Sequence, residues 1–502
     1  MNVIKGSSAI FFLGGLSSLF GLFIRITLAR ELSLEAFGLF YAGLAFISLV
    51  GLLKNMGLNQ ALVKYIPEYL VQGDFKSIKI SILIAATSSL LTSIMVAGLT
   101  LLVLGPLAEH YFHIALAEKM VPILLVYLVI SALIGVINGV FHGFKKPFFM
   151  TAEQLSLHTI ILAALILFDQ IKIMDVCWIY VFSAGVVFLG CAVALFRLCN
   201  IFLYRGYFSK KILKRMIGFG LPVTATTITN KTLGSGINSI MLTYFQNVVE
   251  VGIFNVAAPF ARIFISIGSA VGKMMFPYSS ELLYRKESGD LRSMIRYLQK
   301  ALFFFMVPGA VFFMLTAPYF IPLIFGKQFH QGVLAAQILI LGGVLQAISL
   351  ININVIKGIG HPLKVARISL ISGLVNFSAN LILIPVLSFE GAALGTVLGY
   401  TATFFLSNYY LKVSIHYPSQ WAVLFKVMSI GVALFIAGLW ISGGVPIDNM
   451  MRVIILWIIL TVLYVSLCLM IQVISFEEMK HVTRLIVSRF LEMGRTGRYD
   501  SD

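Results

Sequence analysis

The sequence predicts an all-α polytopic membrane protein with fourteen transmembrane helices, built as two six-helix repeats plus two extra helices. Three observations predict it. The chain is 59% hydrophobic and 11% charged, whereas soluble chains carry about 25% charged residues. Fourteen apolar runs, centred near residues 18, 48, 92, 130, 160, 187, 231, 262, 310, 345, 376, 401, 431 and 462, each approach the roughly 20 residues that a bilayer-crossing helix needs. Matching motifs recur at one constant offset, as set out below. The short alternating segments of a transmembrane barrel do not occur.

The first run starts about Ser7. It is too long for a signal-peptide core and no cleavage site follows it, so it reads as a retained span. It carries a stripe of small and polar residues, Ser7, Gly14, Ser18, Gly21 and Arg25. The second span contributes Tyr41, Ser48, Asn55 and Asn59, with Lys54 beside that face. The fifth is bounded by Glu153 at its start and Asp169 at its end, and no span holds a deep carboxylate.

Residues 1–197 thus form an N-terminal lobe of helices 1–6. Residues 198–216 (LCNIFLYRGYFSKKILKRM) are a basic cytoplasmic linker. Its aromatic and basic residues suit a segment lying on an anionic leaflet, and equally a plain linker kept inside by its charge.

The seventh span, VTATTITNKTLGSGINS from Val223, is the most polar. Thr224, Thr227, Lys231, Ser235 and Asn238 share one helical face. The eighth repeats the pattern with Asn255, Pro259, Arg262, Ser266, Ser269 and Lys273 against an apolar opposite face. Gly218, Gly220, Pro222, Gly234, Gly236 and Pro259 allow these two helices to bend. Residues 217–412 form a C-terminal lobe of helices 7–12, and 413–474 hold helices 13 and 14. In the cytoplasmic tail, 475–502, Met479, Val482, Ile486 and Met493 at helical spacing predict an amphipathic helix, on the membrane or packed on the protein.

The formal net charge is +17. The cations are spread over loops, which points to membrane topology and not to nucleic acid. With the N-terminus inside, inner segments hold 28 Lys and Arg and outer segments five. This bias predicts cytoplasmic N- and C-termini in the plasma (inner) membrane. The remaining four cations, Arg25, Lys54, Lys231 and Arg262, fall within spans. Cys177, Cys191, Cys199 and Cys468 have no metal or disulfide spacing.

FGLFYAGLAF from Phe37 pairs with VGIFNVAAPF from Val251. Gly73-Asp74 pairs with Gly289-Asp290, and NGVFHGFKKP from Asn138 with NVIKGIGHP from Asn354. The offset stays at 214 to 216 residues. Two units with an even number of spans share one orientation, and transporters place the substrate between such halves. The four buried cations come from the first two spans of each unit. A polar stripe at membrane depth must face protein or water, so a cleft lined by these helices predicts an anionic substrate. Snorkelling to the interface is the competing reading for Arg25 and Lys54, which sit off-centre.

LAREL followed by FGLF, then NMGLNQALVKYIPEY, VIKGIGHPLKVA and EGAALGTVLGY, resemble the polysaccharide-transporter (oligosaccharide flippase) branch of the multidrug/oligosaccharidyl-lipid/polysaccharide superfamily. The resemblance covers about residues 5–412. The first repeat departs from it, with DVCWIYVFSAG opposite EGAALGTVLGY.

The resemblance implies a V-shaped, MATE-like arrangement and alternating access. It implies transfer of a polyprenyl-(pyro)phosphate-linked oligosaccharide from the cytoplasmic to the outer leaflet for surface polysaccharide biosynthesis. A cationic central cavity would bind the phosphate, and Arg25, Lys54 and Arg262 fall where related lipid II flippases carry essential basic residues. With Lys231, Asn55, Asn238, Asn255 and Ser266 they form the expected substrate site.

The expected partners are the lipid-linked glycan, membrane lipids and a coupling ion, H+ or Na+, with the chain acting as a monomer. No cofactor, metal, nucleic acid or catalytic residue is expected. No phosphate-binding Gly-Lys-Ser/Thr loop occurs, and His110 with His113 lacks a third metal ligand. A peptidoglycan lipid II flippase and a multidrug/cation antiporter are the alternatives. The antiporter would want a mid-span carboxylate. A membrane glycosyltransferase or polymerase would want an acidic residue in a sizeable outer loop.

Overall fold

The computed structural model describes residues 2–168, 170–198, 208–232, 236–285, 287–417, 421–444 and 450–470. Every regular element among them is helical. In chain order these are α1 (Asn2–Glu31), α2 (Leu34–Val50), α3 (Leu58–Val71), α4 (Phe75–Leu102), α5 (Leu104–Leu107), α6 (Leu116–Gly143), α7 (Pro147–Leu167) and α8 (Ile173–Leu198). Then follow α9 (Lys210–Thr232), α10 (Ile237–Phe245), α11 (Val248–Tyr284), α12 (Ser288–Phe325), α13 (Val333–Gly358), α14 (Pro362–Ile415), α15 (Trp421–Gly444) and α16 (Met450–Met470). Among the described residues nine helices are long and apolar enough to cross a membrane, and three shorter apolar helices accompany them.

Local chemistry sets the helix ends. The Ser33 hydroxyl caps α2 by accepting from the Ala36 N–H. Asp74 caps α4 through the Ser77 N–H at 2.9 Å. Pro147 and Pro362 open α7 and α14, where a missing N–H is harmless. The turns before them are built alike: Lys145 (φ 56°) and Gly360 (φ 86°) each stand two residues ahead of the proline. At Ser388 (φ 50°, ψ −131°) α14 breaks into two helices.

The structure corrects four expectations. The second apolar run is not one helix. α2 stops at Val50, residues 51–57 are turns, and α3 resumes at Leu58. Left-handed Met56 (φ 44°) and Gly57 (φ 72°) make the break. α9 begins at Lys210, inside the expected linker, because KKILKRM is made of good helix formers. Glu153 does not start its helix but lies six residues after Pro147. The small-residue stripe of α1 is partly a packing seam, since Gly14 and Gly21 face Thr151 and His158 of α7. Residues 199–207, with Cys199, the tail and Ser235 lie outside the described residues; Cys177, Cys191 and Cys468 are free thiols.

The chain forms two compact units, Met1–Asn255 and Val256–Asp502. The first is built on a core from α3, α4, α6 and α8 that includes Leu62, Ile66, Ile84, Ile137, Phe141 and Val187, joined by Met216 of α9. In the second, α11 packs on α13 through Gly268 and Gly272, where an added Cβ would meet the backbone of Ala347 and Leu350. α13 packs on α14, and α12 on α13 and α15.

Candidate functional site

In the first unit Arg25 is half-buried on α1. Its Nη1 donates to the Asn255 carbonyl at 2.7 Å, and its guanidinium stands 4.9 Å from the centre of the Tyr41 ring. Tyr41 is positioned by Phe37 and Phe40 of its own helix. The Asn255 amide donates to the Val251 carbonyl at 2.9 Å and to Ser239 of α10 at 3.3 Å. Asn255 therefore holds the arginine by its backbone, while its side chain ties α11 to α10. Asn238, also on α10, is fully buried.

Lys54 lies in the turn between α2 and α3, not within a helix. Its ammonium donates to the Ser131 hydroxyl of α6 at 2.8 Å. Asn55 and Asn59 approach α6 where Gly135 leaves room: a Cβ there would stand 2.9 Å from the Asn59 amide nitrogen and 3.2 Å from that of Asn55. Both amide oxygens are buried without a hydrogen-bond partner. Buried acceptors of this kind want a donor.

Nearby, α3 and α9 are joined by a charged aromatic cluster. The Arg215 guanidinium donates to Glu68 at 2.6 Å and lies 4.5 Å from the Tyr65 ring centre. The Glu68 carboxylate raises the arginine further above its ordinary range. Lys64 stands 4.2 Å from the Phe219 ring centre.

In the second unit Arg262, Ser266 and Lys273 lie on an exposed face of α11, among exposed Ile263, Ile267 and Met274. The Ser266 hydroxyl donates to the Arg262 carbonyl at 2.7 Å. The backbone of Lys231 belongs to the last turn of α9, and its side chain lies outside the described residues. The structure thus gathers Arg25 with Asn255, and Lys54 with Asn55 and Asn59. Arg262 and Ser266 share one helix face.

Two ionisable side chains of α7 belong to no expected site. Glu153 accepts from the Asn138 amide at 3.1 Å. The His158 Nδ1 lies 2.8 Å from the Ser17 carbonyl and 2.9 Å from the Ser17 hydroxyl. The signal for His158 was a lone histidine inside the apolar run LSLHTIILAAL. Among the described residues no cluster of three His, Cys, Asp or Glu could hold a metal.

The family described as polysaccharide biosynthesis protein matches residues 3–283. The uncharacterized membrane protein MJ1068 of Methanocaldococcus jannaschii is 24% identical over 501 residues, covering 93% of this chain and 95% of that one. The probable low-salt glycan biosynthesis flippase Agl15 of Haloferax volcanii is 24% identical over 244 residues, 47% of this chain and 50% of its own. The lipid II flippase MurJ in an inward closed conformation superposes with a TM-score of 0.74 at 15% identity, covering 92% of this chain and 98% of that one. That likeness shows the fold.

Proposed function

We propose, from the premise that this chain belongs to the polysaccharide biosynthesis protein family, that it flips a polyprenyl-(pyro)phosphate-linked oligosaccharide from the cytoplasmic to the outer leaflet. The carrying observation is Arg25. Among the described residues no carboxylate lies within 4 Å of its guanidinium. A carbonyl and an aromatic face hold it and leave its charge uncompensated. A cation kept at membrane depth without a counter-charge suits a phosphate. Lys54, Lys231 and Arg262 would add charge, and Asn55, Asn238, Asn255 and Ser266 hydrogen bonds to the head group.

The reading includes fourteen spans, and the nine candidate spans among the described residues support its membrane-spanning character. Dividing α14 at Ser388 would turn the nine candidates into ten, and the three shorter apolar helices with α9 would make up the rest. The like-built turns before Pro147 and Pro362 support the repeat, with helices 1–6 in 1–197, helices 7–12 in 217–412 and helices 13–14 in 413–474. Charge bias supports cytoplasmic termini in the plasma membrane. The chain would act as a monomeric transporter, not an enzyme.

The test is leaflet accessibility of lipid-linked oligosaccharide in oriented vesicles, comparing wild type with Arg25→Ala, Lys54→Ala and Arg262→Ala at matched expression. Exposure by wild type and retention by the variants is the expected result. Equal exposure by all would remove the cations from the mechanism.

A further inference from the structure

We propose that His158 is a proton-binding site that acts on α1, and so on Arg25. The proposal rests on the transport reading only in calling that action coupling. His158 stands near the middle of the apolar stretch Thr151–Leu167. Its ring is wedged into the seam with α1. Ser17, 1% exposed, meets Nδ1 through both its hydroxyl and its carbonyl. A Cβ on Gly21 would stand 3.4 Å from the ring's Cε1.

The Ser17 carbonyl can only accept, so Nδ1 carries the proton of the neutral ring. Nε2 is then an acceptor, and it has no hydrogen-bond partner among the described residues. Binding a proton turns it into a charged donor inside an apolar seam. A charge at that depth demands an acceptor, an anion or water.

The neighbouring elements offer little. The charged group on α1 nearest in sequence is Arg25, four residues beyond Gly21 and of the same sign. Tyr127 of α6 and Cys191 of α8 are neutral weak acids. Glu153, five residues before His158 on α7, is taken by Asn138 and lies about 140° away around the helix. The charged ring is therefore met only by a rearrangement of the seam. Since α1 carries both Ser17 and Arg25, opening the seam moves the arginine. Protonation favours a displaced α1, and proton release restores the packed one.

The test needs no glycan. Spin labels go on Leu19→Cys of α1 and Ile166→Cys of α7, both exposed, with the four native cysteines replaced by alanine. The full chain sits in phosphatidylcholine/phosphatidylglycerol vesicles, and the interlabel distance is measured from about pH 5 to pH 8, where histidine titrates.

The expected result is a distance shift with a single-proton midpoint, abolished by His158→Gln, which stays at the high-pH distance. Ser17→Ala, which keeps the imidazole, should retain the shift at a moved midpoint. A wild type without a shift, or a shift that survives in His158→Gln, would overturn the proposal. If His158→Gln does not accumulate, Ser17→Ala decides, and an unmoved midpoint overturns it. Failure of glycan translocation with the distances behaving as expected would refute the transport reading and leave the proton site standing.

Discussion

Gly38 on α2 and Gly252 on α11 meet backbone to backbone. A Cβ on Gly252 would stand 3.2 Å from the Gly38 Cα, and one on Gly38 would stand 2.7 Å from the Val248 carbonyl carbon. These are the glycines that FGLFYAGLAF and VGIFNVAAPF align. Gly38→Ala should destabilise by about 1–3 kcal/mol, the scale of overpacking, and more than Gly252→Ala. Gly98, in α4 about one turn from its C-terminal end with nothing within 4 Å, is the control. Its alanine variant should be neutral or stabilised by up to about 1 kcal/mol. Thermal unfolding of the purified variants in detergent measures all three.

Arg25 rests on the face of Tyr41, a contact worth about 0.5–2 kcal/mol. Tyr41→Phe keeps the ring and should transport almost as wild type. Tyr41→Leu removes the π face and should lower transport about 2- to 30-fold. Arg25→Lys keeps the charge but loses the planar fork that reaches both Tyr41 and the Asn255 carbonyl, and should fall between wild type and Arg25→Ala. Initial rates in the vesicle assay, at matched protein level, give the order.

The helical class and membrane character were legible because apolar run length and charge bias are properties of sequence alone. The break at 51–57 was not. Gly51, Met56 and Gly57 sit in a segment whose composition still suits a span, and left-handed backbone at two residues leaves no apolar gap. That break takes Lys54 and Asn55 off the expected helix face. The stripe Gly14, Ser18, Gly21, Arg25 is periodic whether it lines a cleft or packs a neighbour. Only the structure shows α7 lying against it. Asn255 was singled out as a member of a polar helix face, yet its backbone carbonyl holds Arg25. Sequence periodicity reports side chains and is blind to such a role.

Asp74 gives a pH signature outside the membrane spans. The Ser77 hydroxyl donates to its carboxylate at 2.6 Å and the Ser77 N–H at 2.9 Å. These bonds, the hydroxyl foremost, hold the carboxyl below its ordinary value, near 3.9 when unfolded. A depressed folded value means that the contribution is whole above the unfolded value and fades as pH falls through the folded one. Asp74→Ala should thus cost about 1 kcal/mol at pH 7, with the gap closing as the pH drops below about 3.9. Thermal midpoints of the two proteins across that range test it, and a gap that persists in acid would mean the cap does not act through its charge.

In the second unit a buried chain of hydrogen bonds ties three elements to the segment after α14. The Tyr417 hydroxyl donates to Gln299 Oε1 at 2.9 Å, Gln299 Nε2 to Asn352 Oδ1 at 2.6 Å, and Asn352 Nδ2 to the Ser407 hydroxyl at 3.2 Å. Asn352 and Ser407 are fully buried, and Gln299 and Tyr417 nearly so. Asn352→Ala strands the Gln299 amide and takes the donor from the Ser407 hydroxyl, which still donates to the Phe404 carbonyl at 3.1 Å. Each orphaned buried group costs about 1–3 kcal/mol, so this variant should lose more stability than Ser407→Ala, which leaves only the Asn352 amide short. Adding Gln299→Leu to Asn352→Ala removes the stranded amide but leaves the Tyr417 hydroxyl without its acceptor, so the double variant should lose less than the sum of the two single losses, since pairs in one network are not additive. A double-mutant cycle read by thermal unfolding distinguishes this coupling from independent contacts, for which the losses would sum.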